Sequence, residues 1–187
     1  ILQDLREEGL QDDTLIVFTS DHGEGEAAHR WVVKLMLYEE VATVPLIVSW
    51  KGRTPAGRVD ATHLVSGLDV LPTMCDYAGV PVRRDFMGMS LRPLIETPDR
   101  PGHEFVVTEL QSHSQDLSRK GRMLRTARYK YIAFSHGSNR EMLFDLDADP
   151  GEMNNLALQP SSSAALEHHR ELLRKWIAQT QDHFKGV

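Results

Sequence analysis

An aspartate and a histidine stand side by side at Asp21-His22, directly after the apolar run Thr14-Leu-Ile-Val-Phe-Thr-Ser20 and directly before Gly23-Glu24. The run is rich in β-branched and aromatic residues and reads as a buried strand that stops at the Asp-His pair. In open α/β sheets, ligands gather just beyond the carboxyl ends of the strands. A carboxylate and an imidazole delivered there on adjacent residues can both reach one metal ion. His29 and Lys34 follow on the same segment, and the Lys34 ammonium is a donor suited to an oxyanion. A metal beside an anion-binding lysine is the equipment of a sulfate or phosphate ester hydrolase.

The elements that must position these groups follow from pattern. Ile1 to Gly9 has apolar residues at 1, 2 and 5 and stops at glycine, the tail of a helix. Residues 21–43 form a loop with a short helical turn around Leu35–Val41, and Val44–Trp50 is a second strand. Leu64, Leu68, Leu71, Cys75 and Ala78 carry helical spacing up to Gly79-Val-Pro81. Composition then shifts. Phe105–Leu110, Met123–Ala127, Tyr129–Phe134 and Glu141–Leu146 read as strands, and Asp147-Ala-Asp-Pro-Gly151 as a turn. After the short linker Gln159-Pro-Ser-Ser-Ser163, a helix is expected to about His183, with Ser163 as its cap. Leu166, Leu172, Leu173, Trp176 and Ile177 form its inner side.

These motifs, in this order, resemble the sulfatase family of the alkaline-phosphatase superfamily. Ser20-Asp-His-Gly-Glu24 is similar to the family's second metal-binding motif, and the order Asp21, His29, Lys34 to its active-site loop. Leu37-Tyr-Glu-Glu40, Val44-Pro-Leu-Ile-Val48, Leu68-Asp-Val-Leu-Pro-Thr73, Ala78-Gly79 and Gly88-Met-Ser-Leu91 follow in family order. So do Tyr129-Lys-Tyr131, Phe144-Asp-Leu, Asp149-Pro-Gly-Glu152 and Asn154-Asn-Leu-Ala157. The resemblance implies an α/β fold, part of an alkaline-phosphatase-like sandwich, followed by a small C-terminal subdomain of antiparallel sheet plus helix. Residues 1–100 would be the C-terminal portion of the catalytic domain and 101–187 the subdomain, with the boundary within 95–103.

The resemblance also implies chemistry. Asp21 and His22 would bind a divalent ion, usually Ca2+, and the imidazole leaves room for Mn2+ or Zn2+. Two ligands cannot satisfy a cation that takes six or more. Lys34 would contact a sulfate oxygen or the leaving-group oxygen. His29 would bind substrate or orient a ligand, and Arg30, with Trp31, would touch an anionic or sugar substrate. The family's nucleophile is a formylglycine made within a C-x-P-S-R-like motif. Cys75, the single cysteine, lies in Cys75-Asp-Tyr-Ala-Gly79, which lacks that pattern and reads as a small buried thiol. The upstream Asp-Asp metal pair and Lys-x-His segment have no counterpart either. The chain, which begins at Ile1, is therefore expected to be the C-terminal part of a sulfatase and inactive alone. An upstream part of the same protein, or a partner chain, would complete the site. The substrate class is a sulfated small molecule or sulfated carbohydrate, and a periplasmic or secreted location is implied by the resemblance alone.

Each residue also has a plainer reading. Asp21 can start a turn, Lys34 can lay its stem along apolar neighbours, and His29 can bond loop backbone. Glu24 and Glu26 read as loop carboxylates. Asp69 reads as a cap on the turn before Pro72, and His168 and His169 as solvent-facing. Among the loop histidines His63, His103, His113 and His136, either His103 or His113 is best placed to border a pocket. Phosphomonoesterases, phosphodiesterases and phosphonate hydrolases of the same superfamily use a similar Asp-His pair, and a non-catalytic remnant is the remaining alternative. Bulk properties agree with a hydrolase domain. The chain has 187 residues, 41% hydrophobic, enough for a core. A net charge of −6 with scattered Lys and Arg speaks against nucleic acid or an anionic membrane as partner. No apolar run reaches the roughly 18 residues of a membrane span, and one cysteine excludes an intrachain disulfide framework.

Overall fold

Only the β-branched centre of the first apolar run becomes a strand. In the computed structural model, which describes residues 1–83, 85–111 and 120–187, Ile16–Thr19 (β1) pairs antiparallel with Leu46–Ser49 (β2). The register runs from Ile16↔Ser49 to Thr19↔Leu46. The run expected to be buried is half covered instead. Phe18 is 58% exposed and its ladder partner Ile47 55%, because each strand of a two-stranded ladder has a single neighbour to shield it. The helix Leu2–Glu7 (α1) precedes β1, and Glu39–Ala42 (α2) precedes β2.

Contacts divide the chain into two compact units, Ile1–Asp21 with Val44–His103 and His22–Thr43 with Glu104–Val187. In the first unit, helical spacing from Leu64 predicts one helix, but the chain spends Gly67–Asp69 in a 3-10 turn before the helix Val70–Tyr77 (α3). A capping box explains the delay: the Ser66 hydroxyl accepts from the Leu68 amide, and Asp69 accepts from the Ser66 amide at 2.7 Å. The spaced apolar residues are not all turned inward: Leu68 and Leu71 are exposed, with Met74, while Asp69, Pro72 and Thr73 are buried. Asp69 decides this orientation. Its carboxylate also accepts from the Met89 amide at 2.8 Å and faces His103 Nε2 at 2.9 and 3.0 Å. A buried carboxylate stripped of such partners costs more than an exposed leucine. Thr73 Oγ1 then donates to the Asp69 carbonyl and accepts from the Leu91 amide, which docks the helix Arg92–Glu96 (α4).

The second unit is built on a four-stranded antiparallel sheet, Val106–Gln111 (β3), Lys120–Arg125 (β4), Tyr129–Phe134 (β5) and Glu141–Asp145 (β6), in that order. This is the small antiparallel sheet the sequence anticipates. Alternation along the strands sends residues to two faces. Leu124, Tyr131, Ala133 and Leu143 join Leu166, Leu172, Leu173 and Phe184 in one core, under the helix Ser163–Thr180 (α5). Met123, Ile132 and Phe144 form the other, with Leu37 buried among them. Gly121 makes that second contact close, since a Cβ there would press on Leu37 and the Phe134 ring.

Two local expectations need correction. The residue before α5 is Ser162, and no side chain caps the helix. His169 is not solvent-facing but 3% exposed, with Nδ1 on the Ala165 carbonyl at 2.7 Å and Nε2 3.1 Å from Thr126 Oγ1. His168 remains exposed. The segment after β6 is tied down by Asn155, whose side chain accepts from the Leu143 and Ala157 amides and donates to the Glu141 carbonyl. No helix is long and apolar enough to cross a membrane among the described residues.

Candidate functional site

Asp21 closes the first unit, at the carboxyl end of β1. It is exposed, and the Ser20 hydroxyl donates to it at 3.5 Å. His22 opens the second unit and is partly buried, its Nδ1 2.7 Å from the Gly23 carbonyl. A carbonyl only accepts, so Nδ1 carries the proton in this contact, and a neutral imidazole protonated there has its lone pair on Nε2. That is the form in which imidazole ligates a metal. A carboxylate oxygen and a neutral imidazole are donors that a divalent cation accepts, so the pair fits the metal implied by the resemblance.

The loop from His22 to Thr43 is closed at its base. The Gly23 amide donates to the Val41 carbonyl at 2.8 Å. A Cβ at Gly23 would collide with the Glu40 carbonyl oxygen, so only glycine permits this approach. Beyond the base the backbone is unusual. Glu26, Ala27, His29, Arg30 and Val33 have φ between 45° and 69°, a region that costs non-glycine residues of order 1–3 kcal/mol each. Lys34 follows directly and is exposed, as is Arg30. The His29 ring stacks on Tyr38 at 3.8 Å and 8°, and its Nε2 lies 3.7 Å from Glu40 Oε1. Tyr38 in turn packs on Phe144 and donates to Met142 Sδ. Glu24 and Glu26 are exposed loop carboxylates.

Three charged residues that sequence reasoning left without a role meet beneath this loop. Lys130 on β5 is fully buried, with Nζ 2.7 Å from Glu39 Oε1, 2.9 Å from Glu152 Oε1 and 3.2 Å from the Leu37 carbonyl. Glu152 Oε2 accepts from the Glu39 amide at 2.6 Å. Burial pushes the Glu39 carboxyl up, but the Lys130 ammonium, helped by Arg125 and Thr43, outweighs it and holds the group below the usual range. At Glu152 burial wins over Lys130, and the carboxyl is raised. Burial, with Glu152 and Glu40 nearby, also raises the Tyr38 hydroxyl. The signal was in the sequence: a lysine that shares its strand face with Ile132, inside the apolar run Tyr129–Phe134.

His29, Glu40 and Glu152 bring ligand atoms within 4.8 Å of one another. As a cation site this trio is opposed by Lys130, whose ammonium already neutralises Glu152. In the first unit, a cavity of about 470 Å³ is lined by Ile47, Arg58, Asp60, His63 and Leu94 among others. Its charged groups are spent on each other: Arg58 binds Asp60 and the Leu94 and Ile95 carbonyls, and His63 binds Asp60 and the Arg100 carbonyl. His103, expected at a pocket edge, is the partner of Asp69. His136 lies against Ser135 on the surface, and His113 lies outside the described residues.

Residues 25–179 match the family described as N-sulphoglucosamine sulphohydrolase, C-terminal. The Delta 4,5-hexuronate-2-O-sulfatase of Bacteroides thetaiotaomicron is 38% identical over 178 residues, 94% of this chain and 37% of that protein. Arylsulfatase K of Gallus gallus is 40% identical over 167 residues, 85% of this chain and 30% of that protein. The fold of a 2-O GAG sulfatase covers 100% of this chain and 41% of its own, at TM-score 0.90 and 36% identity. A phosphonate monoester hydrolase from Silicibacter pomeroyi covers 97% of this chain and 38% of its own, at TM-score 0.85 and 29% identity. The chain thus spans well under half the length of these relatives.

Proposed function

This chain belongs to the sulfatase family, and we propose that the protein it comes from hydrolyses a sulfuric ester of a sulfated carbohydrate. The observation that carries the reading is the 38% identity, across 94% of this chain, to a hexuronate-2-O-sulfatase. In this reading residues 1–100 complete the catalytic α/β domain and 101–187 form the small C-terminal subdomain. Asp21 and His22 hold a divalent ion, Ca2+ in preference to Mn2+ or Zn2+, together with ligands from outside these residues. When bound, that ion supplies positive charge against the sulfate oxygens.

The chain's own groups have distinct tasks. Lys34, exposed on the loop, neutralises negative charge on the oxygen that leaves with the sugar. Arg30, exposed four positions earlier, binds an anionic group of the substrate. His29 borders the substrate while its ring stays fixed on Tyr38. The nucleophile, a formylglycine by family resemblance, lies outside these 187 residues, so the isolated chain is inactive. A second reading, phosphonate ester hydrolysis, is favoured by the likeness to the Silicibacter pomeroyi enzyme at TM-score 0.85.

The test is release of inorganic sulfate from a 2-O-sulfated unsaturated uronate disaccharide by the full-length protein, with and without EDTA. Release that EDTA abolishes and added Ca2+ restores is the expected result. No release from this or any aryl sulfate, by protein shown to carry formylglycine, would overturn the reading.

A further inference from the structure

Three family-like segments without an assigned role, Leu37-Tyr-Glu-Glu40, Tyr129-Lys-Tyr131 and Asp149-Pro-Gly-Glu152, are far apart in the chain and converge on one ammonium group. Lys130 Nζ contacts Glu39, Glu152 and the Leu37 carbonyl, all within 3.2 Å. Leu37 and Glu39 lie three and five positions beyond Lys34, and Lys130 holds the first by its main-chain carbonyl and the second by its carboxylate. The Glu39 amide is held as well, by Glu152 at 2.6 Å. The turn Asp149–Glu152 that presents Glu152 is itself braced, since Asp149 accepts from the Asn154 amide and side chain.

The loop needs such a brace. Five non-glycine residues between Glu26 and Val33 sit at positive φ, and conformations of this kind persist only where the surroundings over-determine them. The Gly23–Val41 bond fixes one end of the loop, and the cluster around Lys130 fixes the segment just past Lys34. Apolar packing alone would hold Leu37 in place. It would not need a buried lysine, which is expensive to desolvate unless fully paired.

We propose that Lys130, clamped between Glu39 and Glu152, is the positioning residue for Lys34, so that the C-terminal sheet sets where the anion-binding ammonium stands. The proposal rests on the reading of Lys34 given above. Lys130 touches no substrate; it acts through the main chain of residues 37–39. Its failure would misplace the Lys34 ammonium without removing it, and misplacement by about 1 Å costs up to about a hundredfold in rate.

The experiment is a double-mutant cycle in the full-length enzyme, read as kcat on an aryl sulfate. Lys130→Met strips the cation from two carboxylates and threatens folding, so the primary variant is Glu39→Gln. Its amide still accepts from Lys130, and Glu152 remains paired. Glu152→Gln serves as an independent second variant. Glu39→Gln is expected to lower kcat about tenfold or more with KM changed less, yet to have no further effect when Lys34 is already alanine. The loss should grow as the leaving phenol becomes a poorer leaving group, as it does for Lys34→Ala. An equal factor in both backgrounds, or no loss where Lys34 is intact, would overturn the positioning role. Full activity in Lys34→Ala alone would instead overturn the premise about Lys34, so the two failures are told apart.

Discussion

Replacing Lys130 by methionine keeps an unbranched side chain, one atom shorter, but leaves Glu39 and Glu152 without their shared cation. Removing one partner of a buried ion pair costs about 3–5 kcal/mol, because the charge left behind is uncompensated. Lys130 is 0% exposed and Glu152 3%, but the Glu39 side chain is 33% exposed, and water recovers part of its loss. The low end, about 3 kcal/mol at pH 8, is therefore expected. The penalty must depend on pH. In the native protein Glu39 lies below its usual range and contributes stability above the unfolded carboxylate pKa, lost as pH falls. Glu152 is raised, so it costs stability at high pH, and the cost fades as pH drops through its folded value. Without Lys130 the strongest opposition to burial is gone, and only Arg125 and Thr43 at Glu39, and the Glu39 amide at Glu152, still hold the carboxyls down. Both are raised and take up protons on mild acidification. The stability gap between wild type and Lys130→Met, measured by urea denaturation of the full-length enzyme, should be wide at pH 8 and narrow at pH 5. Adding Glu39→Gln and Glu152→Gln to Lys130→Met should recover most of the loss. A gap that is the same at both pH values, or absent at pH 8, would refute an ionised cluster at this position.

Other consequences follow from the same structure. Truncating Leu173, 0% exposed on the inner face of α5, to alanine should cost about 2–5 kcal/mol, checked by the same denaturation assay. Gly23→Ala should disrupt the Gly23–Val41 closure and cost about 1–3 kcal/mol, together with a drop in kcat on an aryl sulfate. His169 has its basicity lowered by burial, only partly offset by its bond to Ala165. The unfolded chain then binds the extra proton, so stability falls with pH below the ordinary histidine range. His169→Gln should flatten that slope in urea titrations between pH 5 and 7.

The sheet β3–β6 was legible because its signals are local. The apolar core of Tyr129–Phe134 and the Asp-Pro-Gly turn after β6 leave few alternatives. Helix α5 was legible for the same reason, through the spacing of Leu166, Leu172 and Leu173. The orientation of α3 was not. Leu68 and Leu71 announce an inner face, but the requirement that Asp69 meet Ser66, Met89 and His103 turns them outward, and that requirement depends on residues up to 34 positions away. His169 was misread because a histidine beside another on a polar helix gives no hint of Thr126 in the turn just after β4. At the candidate site, the types and order of Asp21, His22, His29 and Lys34 could be read directly. The left-handed backbone at Ala27, Arg30 and Val33 could not, since none of these residues favours it. The Lys130 cluster was half legible: the lysine shares a strand face with Ile132 inside an apolar run, but its two carboxylates come from distant segments and meet it only in space.

The most direct test of the account compares kcat/KM of the full-length enzyme for an aryl sulfate and for an aryl phosphonate monoester, in wild type and Asp21→Asn. The account predicts that the sulfate is the preferred substrate and that Asp21→Asn removes its turnover. Preference for the phosphonate ester, or sulfate turnover untouched by loss of the Asp21 carboxylate, would contradict it.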